Sequence, residues 1–149
     1  HPLRRRSLRH LVRHADDWRH LVNLARAYSA TGKDSLAVVQ LQKLLRTDSS
    51  LLEVWMDLAA CYQRLKKTEL ALRALNSAID IDPSFEPAHL SRAQLLVETE
   101  EFEEAAAAVV FSLSSDKLSK PVVDWLETLD EFLESRITPP KELLESPPA

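Results

Sequence analysis

His10 and His14 are spaced i, i+4, the separation that puts two imidazoles on one face of a helix, where they could share a divalent metal. His20 is near in sequence, and Asp16 and Asp17 are the only carboxylates close by. No cysteine completes the set, so the pattern falls short of a metal site. Cys61 is the single cysteine and excludes an internal disulfide. It sits inside a helical apolar pattern and reads as a small buried residue, not as a reactive thiol. Glu98, Glu100, Glu101, Glu103 and Glu104 surround a break between two helical patterns. Glutamates there favour the dipole of the following helix, which explains them better than a calcium site does. The chain has one glycine, Gly32, so a Gly-rich phosphate loop is excluded. No Ser/His/Asp or Cys/His grouping has a local context for nucleophilic catalysis. The sequence points away from an enzyme, and no cofactor is implied.

Charge is unevenly spread. Residues 1–20 hold six arginines against two aspartates, a balance of +4, so the remainder carries −8 for a chain total of −4. Arg4, Arg5, Arg6, Arg9 and Arg13 form a basic patch that could meet an acidic protein, an anionic lipid or a phosphate backbone. No aromatic residue is interleaved for base stacking and the rest of the chain is acidic, which disfavours nucleic acid. The plain alternative is a solvated helix face. Arg4-Arg5-Arg6-Ser7-Leu8 also has the composition of a basophilic kinase site.

These residues must be positioned by helices. Trp55, Leu58, Ala59 and Tyr62 recur at i, i+3, i+4 and i+7, and Ala71, Leu75, Ala78 and Ile79 repeat that stripe. Lys66, Lys67 and Thr68 break the two helices apart, and Asp82-Pro83 ends the second. Trp55 and Tyr62 are bulky enough to fill the space between neighbouring helices. Ala59, Ala71 and Ala78 let backbones approach closely. Such a pair cannot bury its apolar faces alone.

Those residues, closed by Pro83, resemble the tetratricopeptide repeat, a 34-residue helix–turn–helix unit. All eight of its characteristic positions hold a suitable residue type within 52–85. In 18–51, Leu21, Leu24, Ala25, Tyr28, Ala37 and Leu41 follow the same register, with Leu21 in place of tryptophan and Ser49 in place of proline. In 86–119, Ala93, Leu96, Ala105, Val109 and Ser112 fit, with His89 in place of tryptophan and Lys117 in place of proline.

The resemblance implies an all-α solenoid, a right-handed superhelix of about eight helices. Residues 1–17 are expected to hold a leading basic helix of an incomplete repeat or cap. Repeats follow at 18–51, 52–85 and 86–119. A closing helix is expected at 120–136, with Ser119 as its N-cap, and a disordered proline-rich tail at 137–149. A chain opening on His1 instead of methionine is expected to be a fragment, with room for further repeats upstream. No apolar run is long enough to span a membrane and no secretory core is present, so a cytoplasmic location is expected.

The resemblance also implies a concave groove lined by the first helix of each repeat. Its polar positions would be Asn23, Arg26, Asp57, Gln63, Ser91 and Gln94, with Ala60 between them. Val22, Met56 and Leu90 fall 34 residues apart and would form an apolar column along its floor. Two readings stand. The column receives a peptide or amphipathic helix of another protein, as in an adaptor or scaffold. Or the chain's own ends cover it, the closing helix or the tail serving as self-ligand. A dedicated client chaperone, like those of type III secretion, and a self-assembling module are the other functions in view. A clamp for a chaperone's C-terminal carboxylate is not expected. Val22, Arg26, Asp57, Pro87 and Ser91 stand where its cations and amides belong, and Asp57 repels a carboxylate.

Overall fold

The computed structural model describes residues 18–148, which contain eight helices and no strand. They are α1 (18–30), α2 (Asp34–Thr47), α3 (Leu52–Arg64), α4 (Thr68–Ile81), α5 (Glu86–Glu98), α6 (Phe102–Leu113), α7 (Lys120–Glu134) and α8 (Lys141–Glu145). The all-α expectation holds, and the helix pairs fall where the three repeats place them. The total of eight is reached without the leading helix, which lies outside the described residues. The eighth helix is α8, in the segment expected to be disordered. Two compact units divide the chain, one ending at Lys67 and the other beginning at Thr68.

The turns inside each repeat share one backbone device. Gly32, Lys66 and Glu100 all have positive φ, at 78°, 60° and 60°. Each ends its helix with paired bonds: Gly32 N to Ser29 O and Lys33 N to Tyr28 O in the first, Lys66 N to Gln63 O and Lys67 N to Tyr62 O in the second, Glu100 N to Val97 O and Glu101 N to Leu96 O in the third. These satisfy carbonyls that the helix leaves open, as a left-handed C-terminal cap does. Arg136, with φ of 56°, closes α7 the same way. Only the first of these positions is glycine, so the turn is kept at three others against the strain of a Cβ.

The junctions between repeats also recur. Ser50 N and Oγ donate to Asp48 Oδ1 at 2.9 and 2.5 Å, and Ser84 N and Oγ donate to Asp82 Oδ1 at 3.0 and 2.5 Å. These hydrogen bonds hold both aspartates below the usual carboxylate range.

In the first unit, Ala37, Leu41, Leu44 and Leu45 of α2 are buried, as are Val54, Leu58, Ala59 and Tyr62 of α3. Gln42 Nε2 donates to the Tyr62 hydroxyl at 2.8 Å across that packing. In the second unit, Ala93, Leu96 and Val97 of α5 form one core with Ala105 and Val109 of α6 and with Val122, Trp125, Leu126 and Leu129 of α7. The closing helix is therefore core and not only a cap. Ser119 precedes α7 but makes no side-chain cap bond; its backbone N–H instead donates to Glu86 Oε1 at 2.7 Å.

Candidate functional site

In the first unit, α1 and α3 present the polar positions side by side. Arg26 Nε donates to Asp57 Oδ2 at 3.0 Å, and Arg26 Nη2 lies 4.0 Å from Glu53 Oε2. Asn23 is exposed, while Met56, Ala60 and Gln63 are half-buried. Val22 is different: it is buried, at 4% exposure, and does not line a surface. Cys61 is buried as expected, with its Sγ 3.2 Å from Ser29 Oγ and 3.5 Å from Arg64 Nη2. Arg64 in turn donates from Nε to Asp34 Oδ1 at 2.9 Å, a bond that raises the guanidinium pKa.

In the second unit the positions anticipated for a partner meet the chain itself. Leu90 is buried in the core cluster that also holds Leu144 of α8. The argument that the core leaves this register free does not hold at Leu90. Gln94 Nε2 donates to the carbonyl oxygen of Leu144, and Trp125 Nε1 donates to that of Leu143 at 2.9 Å. Ser91 is half-buried. Disorder throughout 137–149 is corrected by the same contacts: residues 141–145 are helical, and Pro139 and Leu144 are buried. Proline-rich composition weakens local structure, but here distant side chains supply the order.

One cluster has no counterpart in the sequence reading of the site. His89 Nε2 lies 2.8 Å from Pro83 O, and His89 Nδ1 lies 2.8 Å from Ser112 Oγ. A carbonyl can only accept, so Nε2 carries the proton and Nδ1 accepts from the serine in the neutral ring. Burial, and then the neighbouring Arg92, lower the His89 pKa and keep that ring neutral, against the opposing hydrogen bond to Pro83. Arg92 Nη1 donates to Asn76 Oδ1 at 3.0 Å and Nη2 to Ser112 Oγ at 3.1 Å, while the guanidinium lies 5.3 Å from the Phe111 ring. Its Nε has no partner, and burial lowers its pKa too. Among the described residues no carboxylate pairs with it. His89, Arg92 and Ser112 occupy the register of Trp55, Leu58 and Ala78. Three polar residues at three apolar positions of one repeat were the signal available.

The acidic run lines an open cleft of about 720 Å³ in the second unit, with Glu100, Glu101, Glu103 and Glu104 on one side and Leu133, Arg136, Ile137 and Thr138 on the other. Arg4, Arg5, Arg6, Arg9 and Arg13, with His10 and His14, lie outside the described residues. No described helix is long and apolar enough to cross a membrane.

The comparisons agree with this architecture. The family model of the tetratricopeptide repeat matches residues 52–85. A crystal structure of the Yersinia enterocolitica type III secretion chaperone SycD with a peptide of the translocator YopD is similar at a TM-score of 0.67 and 20% identity, over 81% of this chain and 95% of that one. SycD in an alternative dimer gives 0.65 at 20% identity, over 81% and 94%. The second tetratricopeptide domain of human RPAP3, bound to an HSP70 peptide, gives 0.59 at 18% identity, over 76% and 92%. No curated protein matches the sequence. Residues 52–85 are thus a tetratricopeptide repeat, and the helices around it have the fold of tetratricopeptide-repeat proteins.

Proposed function

We propose that the chain is a non-catalytic protein-interaction module that binds a peptide or helix of a partner protein. The observation that carries the reading is the surface made by α1 and α3. Arg26, Asp57 and Glu53 meet there beside half-buried Met56 and Gln63. An apolar side chain ringed by polar groups that have fixed partners suits a segment with one apolar anchor and polar flanks. The fold shared with SycD and RPAP3, whose structures hold peptides, supports the same reading. Arg26 is already neutralised by Asp57, so a peptide's terminal carboxylate would find no surplus positive charge there. Leu90 contributes to the core and not to this surface. The cell's reducing interior is the compartment that fits a chain with one buried thiol.

The test is affinity purification from native lysate with mass spectrometry, comparing the wild-type chain with an Arg26→Glu, Met56→Glu double variant of verified helicity. The captured protein is then titrated against both purified chains. A partner that binds the wild type and is weakened at least tenfold by the double variant supports the reading. Equal binding removes this surface from it.

A second reading is a dedicated chaperone of one client, favoured by the likeness to SycD over nearly its whole length. It predicts a single partner held near 1:1, where an adaptor binds short peptides and a self-assembling chain shows concentration-dependent mass alone.

A further inference from the structure

Helix α8 has five residues. A helix that short does not persist alone in water, and its last carbonyls find no partner within it. Here the partners come from elsewhere: Gln94 on α5 donates to Leu144 O, and Trp125 on α7 donates to Leu143 O. Leu144 is 8% exposed and packs into the same core cluster as Leu90. This is the way a bound peptide is held, with one apolar side chain in a pocket and backbone oxygens on fixed donors. The rest of the segment is loosely attached. Ile137 is 57% exposed, and Lys141, Glu142, Glu145 and Ser146 face solvent. By contrast α7 anchors itself with four buried residues, Val122, Trp125, Leu126 and Leu129. When the segment leaves, Gln94 and Trp125 Nε1 can turn to water, so no buried donor is stranded.

We infer that residues 137–148 are a replaceable self-ligand, and that the face beneath them binds a partner segment of the same chemistry. That segment is a short helical turn with leucine in its last turn, whose carbonyls take the bonds from Gln94 and Trp125 and whose charged side chains face outward. The inference rests on the protein-binding reading and gives it a second face, in the second unit.

The probe is a fluorescent synthetic peptide of residues 137–148. It is titrated against the full chain, the full chain carrying Leu144→Asp, and the chain ending at Arg136. Helicity and the Trp125 indole N–H resonance report folding in each. The peptide is expected to bind both altered chains at least tenfold more tightly than the full chain. Its own Leu144→Asp version is expected to bind none of them. Equal affinity for all three proteins overturns the inference, as does no binding to altered chains that remain folded. If the shortened chain loses its helicity, the Leu144→Asp chain decides. Loss of helicity in that chain as well makes α8 an obligatory part of the core and overturns the inference. The two readings fail separately. A partner that binds the full chain and its Leu144→Asp variant equally keeps the protein-binding reading and removes the self-ligand. Peptide competition as expected, with partner binding unmoved by Arg26→Glu and Met56→Glu, does the reverse for the α1–α3 surface.

Discussion

His89 places Nε2 2.8 Å from the carbonyl oxygen of Pro83, repeating the bond that Trp55 Nε1 makes to Ser49 O at 2.9 Å in the preceding repeat. The two departures that weaken the sequence match, histidine for tryptophan and serine for proline, leave this contact intact. A ring N–H serves from either aromatic, and a backbone carbonyl serves whatever its side chain.

Because His89 is 1% exposed and its pKa is lowered, the unfolded chain takes up a proton before the folded chain does. The contribution is fully present above the ordinary imidazole value of 6.5 and is lost as pH falls below it toward the lowered folded value. Urea unfolding followed by helicity at pH 7.5 and pH 5.5 should show the loss, and His89→Gln should flatten the difference. A His89→Gln chain with the wild-type pH dependence would assign the effect to another group.

Arg92 is a buried cation without a carboxylate, at the register where the preceding repeat has Leu58. Arg92→Leu should be neutral or stabilising by up to about 2 kcal/mol, because desolvation of the charge is relieved while volume is kept. Arg92→Ala should cost about 2–3 kcal/mol through lost packing. Removing the positive charge should also move His89 titration upward, read from its imidazole proton shifts. An Arg92→Leu chain less stable than Arg92→Ala would refute this account.

Lys66 and Glu100 hold the left-handed turn that Gly32 makes freely. Lys66→Gly and Glu100→Gly should each stabilise by about 0.5–1 kcal/mol, the relief of the Cβ strain less the added freedom of the unfolded chain. Gly32→Ala should destabilise by about 1 kcal/mol on backbone grounds alone, since a Cβ there meets nothing within 4 Å. Thermal midpoints of the three variants decide the matter.

The Arg26 and Asp57 side chains are 53% and 29% exposed, so their pair should add less than about 1 kcal/mol to stability. Asp57→Asn is expected to leave the denaturation midpoint nearly unchanged. A drop of several kcal/mol would show that the pair organises the first unit and is not free to serve a partner.

The helices were legible in the sequence because one packing problem is solved three times. Trp55, Ala59, Ala71 and Ala78 fill and close the same gaps that Leu21, Ala25, Ala93 and Ala105 fill in the other repeats, so register alone carries the information. What was not legible came from contacts between residues far apart in the chain. Nothing near Leu144 announces that Gln94, fifty residues away, will take its carbonyl. Arg92 reads as a surface residue until Asn76 and Ser112 are seen around its guanidinium. Val22 and Leu90 were placed on a surface because they lie off the repeat's main stripe, yet both are buried.

The tether ahead of α8 passes through Pro139 and Pro140, whose fixed φ leaves the strap few conformations to lose when it docks. Reclosing is therefore fast and unimolecular. A ligand that needs the face under Leu144 must wait for the strap to lift, so its observed association rate rises with concentration and then levels off at the opening rate. Gln94 and Trp125, by setting how long the strap stays down, act as the clock for that encounter.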